Sequence, residues 1–280
     1  MSFPRTTVAG VSLPRVLIGS NWIFGWSHKG NAADLFIKEQ HSTTESTLSV
    51  LNAFMQYGID AWMGPFSSHP DALDKIKRIQ DKIGKKLILI DTPILNVDDN
   101  EAARKEAKAI IKTSAEIGST FCLIHHGSCE QLINKNKQTM NRLDDYTAMI
   151  REAGLIPGLS AHMPEVIQYS DQNCYDVETY IQIFNCLGFL MQVEVESVIR
   201  IIHEAKKPVM TIKPMAAGRT TPYIGLTFNW NVLRQQDMIT VGCINEHEVH
   251  ENVEISLAAL EKRLPNVEGR SSPGKTSIIK

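Results

Sequence analysis

Six side chains of this 280-residue chain stand where apolar runs end: Asp60, Asp91, His125, His126, His162 and Lys213. The clearest run is Phe121-Cys122-Leu123-Ile124, which stops abruptly at His125-His126. A buried strand that ends in polar residues delivers them to one mouth if the strands close into a barrel. Gathered there, these groups suit two mechanisms. A divalent metal held by Asp60, Asp91, His125 and His162 would polarise a carbonyl or activate water. Without metal, a carboxylate and a histidine or lysine serve as general base and acid. Lys213 has three roles open to it: pairing with Asp91, anchoring an anion, or forming a Schiff base if desolvated. Arg219 is suited to clamp a carboxylate or phosphate. Each residue also has a plainer reading, because polar strand-end residues commonly bond loop backbone.

The elements that must position these groups recur with a regular rhythm. A capping box, Ser42-Thr43-Thr44-Glu45, opens a helix that stops near Gly58. Gly58, Gly84, Gly118 and Gly154 each close a helix and precede a strand: Ile59 to Met63, Lys86 to Asp91, Phe121 to Ile124, and Ile156 to Ser160. Further strands are expected near Thr179–Phe184, at Val209–Ile212 and at Ile239–Val241. A first strand, Val16–Gly19, leads into a long segment reaching about His41. That segment carries Trp22, Trp26 and His28, residues expected to bind substrate in a lid or loop. Strands alternating with helices imply βαβ units and a parallel sheet. Eight units without a GxGxxG after the first strand predict a closed (β/α)8 TIM barrel over residues 1–262, with a polar tail at 263–280.

Composition narrows the function. A formal net charge of -2 offers no field for nucleic acid or an anionic membrane, so neither is an expected partner. No apolar run is long enough for a membrane span, and residues 1–5 lack the apolar core of a signal peptide. The five cysteines are scattered, with no CxxC pair, as reduced cytoplasmic thiols would be. The expected partner is a small-molecule substrate.

The second half of the chain resembles the aldo/keto reductase superfamily. Phe121–His126 is similar to that family's fourth strand with its active-site histidine. Gly158–Glu165 resembles the fifth strand and turn, Pro208–Arg219 the seventh strand, and Thr240–Gly242 with Glu251-Asn252 the eighth strand and nucleotide-binding helix. The resemblance implies roles for Asp60 and His125 beside a catalytic tyrosine and lysine. The chain has Phe66 and Asp91 near the places of those two. It further implies Ser160 and Gln182 as carboxamide contacts and Glu251 and Asn252 as adenine contacts. Gly242 and Glu248 stand where cations would hold a 2′-phosphate, so NADP is disfavoured; NAD and a divalent metal both stay open. The leading expectation is a lyase, isomerase or hydrolase acting on a small polar carbonyl or sugar-like compound, with Asp60, Asp91, His125 and Lys213 catalytic and His126, His162 and Arg219 binding substrate. An NAD-linked oxidoreductase with an altered proton donor and a non-catalytic, partner-binding barrel are the alternatives.

Overall fold

The short apolar runs pair edge to edge and close. The computed structural model describes residues 2–84 and 86–267, and in it eight parallel strands form a closed barrel. In chain order they are β1 (Val16–Gly19), β2 (Ala61–Gly64), β3 (Ile88–Asp91), β4 (Phe121–Ile124), β5 (Ile156–Ala161), β6 (Tyr180–Ile183), β7 (Val209–Ile212) and β8 (Met238–Val241). Each strand pairs with its successor, and β8 returns to β1 with Val241 opposite Ile18. The expected (β/α)8 barrel is therefore the observed one.

Alternation along the strands builds two cores. Leu17, Ala61, Met63, Ile90, Phe121, Leu123, Ile181, Met210 and Met238 fill the barrel. Their neighbours, among them Trp62, Leu89, Cys122, Ile124 and Tyr180, face the surrounding helices. Full burial of one such large apolar side chain contributes roughly 1.5–3 kcal/mol, so both layers resist a register slip that would exchange them. An antiparallel hairpin, Arg5–Val8 with Val11–Pro14, closes the N-terminal end of the barrel by adding Val8 and Leu13 to its interior.

Three expectations need correction. The segment after β1 is not one long loop: it folds as helices Asn21–Phe24 and Asn31–Gln40. The next helix, Thr44–Met55, is capped by Thr43 and not by Ser42, with Thr43 Oγ1 accepting from the Ser46 amide at 3.2 Å. The tail does not leave the barrel at residue 263. Arg263 pairs with Glu254 at 2.6 Å, and the Asn266 amide donates to the same carboxylate, docking this stretch on the last helix, Glu246–Leu260. Residues 268–280 of the expected tail lie outside the described residues. The five cysteines are free thiols, three of them buried. Among the described residues no helix is long and apolar enough to cross a membrane.

Candidate active site

The loops after the C-terminal ends of the strands enclose a cavity of about 700 Å³. Its wall includes Trp22 after β1, Met63 of β2, Thr92 after β3, His125 and His126 after β4, Ser160 and His162 from β5, Lys213 and Arg219 after β7, and Gly242 after β8. Five of the predicted site residues, carried by three strands, thus meet: His125, His126, His162, Lys213 and Arg219.

The histidines are held by their backbones. The His125 amide donates to the Pro93 carbonyl at 3.0 Å, tying β4 to the turn after β3. Ser128 fastens the same turn, donating to the Leu95 carbonyl (2.7 Å) and accepting from its amide (2.8 Å). Glu130, which the sequence reading passed over, accepts from the amides of His162 (2.5 Å) and Met163 (2.9 Å) and so fixes the turn after β5. His126 lies against His125 with ring centroids 4.2 Å apart, and stacks on His162 at 4.1 Å. His125 Nδ1 accepts from the Gly127 amide at 3.2 Å. That bond places the proton of the neutral ring on Nε2. The Nε2 of His162 is buried without a partner.

Burial favours neutral rings. It pushes His125 down to about 4 and His162 to about 3, with neighbouring His126 and Lys213 charges adding to the effect. His126 is lowered too, by burial above all, against the opposing pull of Glu130. At pH 7 His125 and His162 are therefore uncharged imidazoles, and His126 is shifted in the same direction.

Lys213 follows β7 in a left-handed backbone conformation, φ 58°, and Ala216 and Ala217 in the same turn are left-handed as well. Non-glycine residues held there store strain, which clusters at functional sites. The turn aims Lys213 into the cavity, where burial alone lowers its ammonium to about 8. Its charge acts on His28, His125, His126 and His162. Arg219, stacked 3.8 Å over Phe189, completes the cationic side.

The two aspartates do not join this group. Asp60 precedes β2 at the opposite end of the barrel, where it pairs with Arg5 of the closing hairpin at 3.0 Å. Its strand runs from Ala61 to Gly64, so the polar end-position lies four residues after Asp60. The pair is about a third exposed, and such pairs contribute roughly 0–1 kcal/mol. Asp60→Asn is accordingly expected to shift a urea midpoint only slightly and to leave turnover intact; a large loss of turnover would return Asp60 to the site. Asp91 ends β3 but faces outward, level with Cys122 on β4. It is fully buried behind the barrel, accepts from the Ser67 amide at 3.2 Å, and burial raises its pKa against the opposing pull of nearby Ser67 and Ser114. It neither lines the cavity nor meets Lys213.

A metal held by Asp60, Asp91, His125 and His162 is thereby ruled out as a single donor set, and no three His, Cys, Asp or Glu side chains among the described residues converge as ligands. His126 and His162 stack face to face and His125 is tilted against His126, an arrangement of ring contacts and not of nitrogens aimed at one centre.

The fit to a nicotinamide dinucleotide is poor at both ends. Ser160 reaches the cavity, but Gln182 turns away, donating to the carbonyls of His162 and Ile183 at 3.3 Å. No tyrosine lines the wall. Glu251 and Asn252 line the far end, Asn252 donating to Cys243 Sγ at 3.2 Å. There Trp22 lies flat on Gly242: a Cβ at that glycine would sit 2.5 Å from the indole. Glu248, beside it, accepts from the Ile244 amide at 2.8 Å. Trp26 packs on His69 with ring centroids 4.8 Å apart, and His28 contacts Asn21 at 3.3 Å, so the aromatic segment does form one wall. His69, read from the sequence only as a helix start, and Lys29, 5.1 Å over the Trp22 ring, belong to the wall as well. Neither follows an apolar strand, the signal that pointed to His125, His126, His162 and Lys213.

No family model matches the sequence, and no curated protein matches it. Solved structures do. A protein from Pseudomonas aeruginosa described as an aldo-keto reductase superposes with a TM-score of 0.65 at 13% identity, covering 90% of this chain and 92% of that one. Aldose reductase from Giardia lamblia superposes with a TM-score of 0.55 at 12% identity, covering 91% and 89%. Identities this low speak for architecture alone, and by architecture the chain is a (β/α)8 barrel.

Proposed function

We propose that the chain is an enzyme of the proton-transfer type, a lyase or isomerase, acting on a small anionic carbonyl compound. The observation that supports this is Lys213, set in the cavity among neutral imidazoles with no carboxylate acting on it. A carbon acid next to a carbonyl needs a base for its proton and a donor for the oxygen that gains charge. His126, whose ring nitrogens have no hydrogen-bond partner among the described residues, serves as base. His125 presents Nε2–H to the carbonyl oxygen as a neutral donor. Arg219 holds the carboxylate of the substrate, and Lys213 acts on the carbonyl itself. The apolar floor of Met63, Ile181 and Ile212 excludes water and strengthens each of these interactions.

The test is exchange of the carbon-bound protons of small 2-oxo acids and of hydroxyketones in D2O, followed by NMR. Exchange dependent on the protein and faster with 2-oxo acids supports the reading; no exchange with any of them overturns it.

A reductase reading has no tyrosine on the described cavity wall to give the proton, and the far end of the cavity opposes a 2′-phosphate. Glu248 and Glu251 stand there, and a group carrying about two negative charges is repelled by them. Side-by-side titration is expected to show NADP binding no better than NAD. A clear preference for NADP would show that Glu248 does not face the ligand.

A further inference from the structure

We propose that Lys213 is a covalent catalytic residue whose Nζ condenses with the carbonyl carbon of a small 2-oxo acid to form a Schiff base. The inference rests on the proton-transfer reading above and states how the carbonyl is activated.

Four observations carry it. Lys213 projects from a strained turn at the end of β7 into the cavity and not along the surface. Its carbonyl accepts from the Ala216 amide within the turn, but no hydrogen bond, ion pair or ring contact engages its side chain among the described residues, although a structural lysine at this depth would be expected to be paired. Asp91, the carboxylate that would have held it as an ammonium, is sealed behind the barrel. Ile212 and Pro214 flank Lys213 in sequence, Met63 and Ile181 share the cavity wall with it, and the other charged groups of that wall are Lys29, Arg219, Glu248 and Glu251. A lysine so desolvated reaches its nucleophilic free-amine form near neutral pH, in keeping with its lowering to about 8.

The step balances without a redox partner. The free amine attacks the carbonyl carbon, and the new C–N bond gives a carbinolamine. The proton that the nitrogen sheds on attack and one from solvent carry its oxygen off as water, with the His125 Nε2–H hydrogen-bonded to that oxygen. The nitrogen lone pair then forms the C=N bond, leaving a protonated imine. His126 removes a proton from the adjacent carbon, and the electron pair of that C–H bond flows into the imine to give an enamine. Protonation of the enamine and attack of water on the restored imine release product and free Lys213. Arg219 in the same cavity is suited to the carboxylate of the 2-oxo acid.

The experiment incubates the full chain with pyruvate, and separately with 2-oxoglutarate, in the presence of sodium borohydride. Intact mass and peptide mapping locate any reduced adduct, and deuterium exchange is followed in parallel without borohydride. The expected result is one adduct per chain at Lys213, absent from Lys213→Arg, which keeps the charge but has no nucleophilic amine. Trapping should speed up as pH rises through about 8 and then level off, because the free amine is the reactant. Exchange that occurs without an adduct, persists in Lys213→Arg and falls above pH 8 would overturn the Schiff base and leave the proton-transfer reading standing, with Lys213 an electrostatic anchor. An adduct at Lys213 without exchange would support the Schiff base and overturn the proton-transfer reading. Adducts scattered over surface lysines, or no adduct with either acid, would overturn the proposal.

Discussion

Lys213→Met is expected to abolish turnover and at the same time to stabilise the protein. The activity loss follows from the loss of the only amine proposed to meet the carbonyl; removal of a group acting in proton transfer alone lowers rate by about 10²–10⁴-fold, and a covalent role leaves less than that residue. The stability gain follows from burial. The folded chain holds this lysine at about 8 against an ordinary 10.5. Below pH 8 both folded and unfolded chains carry the proton, and the folded chain bears the full cost of burying the charge, about 2 kcal/mol once partial solvent access is allowed for. Between pH 8 and 10.5 the unfolded chain binds more protons than the folded one, so wild-type stability rises with pH across that window. Methionine fills similar volume and titrates nowhere. The gap between variant and wild type should therefore be widest at pH 7 and nearly closed at pH 10. Urea midpoints at the two pH values measure it. A variant less stable than wild type at both would mean that Lys213 makes a stabilising contact after all.

His126→Gln is expected to lower kcat by about 10²–10⁴-fold with little change in KM. The side chain is half-buried, makes no hydrogen bond among the described residues, and touches its neighbours through ring faces, so the fold should tolerate the change. Added imidazole should restore part of the rate, which a purely structural role for His126 would not allow. The pH dependence of the wild type bears on the same assignment. Burial holds His126 below the ordinary histidine value, so the base is less protonated than a free imidazole as pH falls from 7 to 6. A loss of kcat across that interval, with an apparent pKa at or above 6.5, would place the base elsewhere, and His28 on the aromatic wall would be the next to replace.

Much of this molecule is legible without coordinates, for physical reasons that differ from element to element. The barrel shows in the sequence because helix-ending glycines and short apolar strands recur, and eight such units without a dinucleotide fingerprint have few ways to bury both faces of a parallel sheet. His125, His126 and His162 are legible because an apolar run that stops dead at a polar residue marks the C-terminal end of its strand. Lys213 is legible for the same reason after Val209–Ile212.

The aspartates show the limit of that logic. Asp60 stands beside an apolar run just as Lys213 does, but before it, and a run of four residues does not say which of its ends opens on the site. Asp91 does end its strand, yet side chains alternate across a sheet, and a single residue of register decides between the cavity and the helical layer. Only the closed barrel settles that register, and it sends Asp91 to Ser67 and Ser114, out of reach of the lysine it was expected to pair with. The chain by itself determined the architecture and the imidazoles and amine carried at its strand ends. Tertiary structure decided which charges meet: it removed both carboxylates from the strand-end cluster, leaving an unpaired lysine among neutral histidines, because strand direction and pleat, not residue type, set where a side chain points.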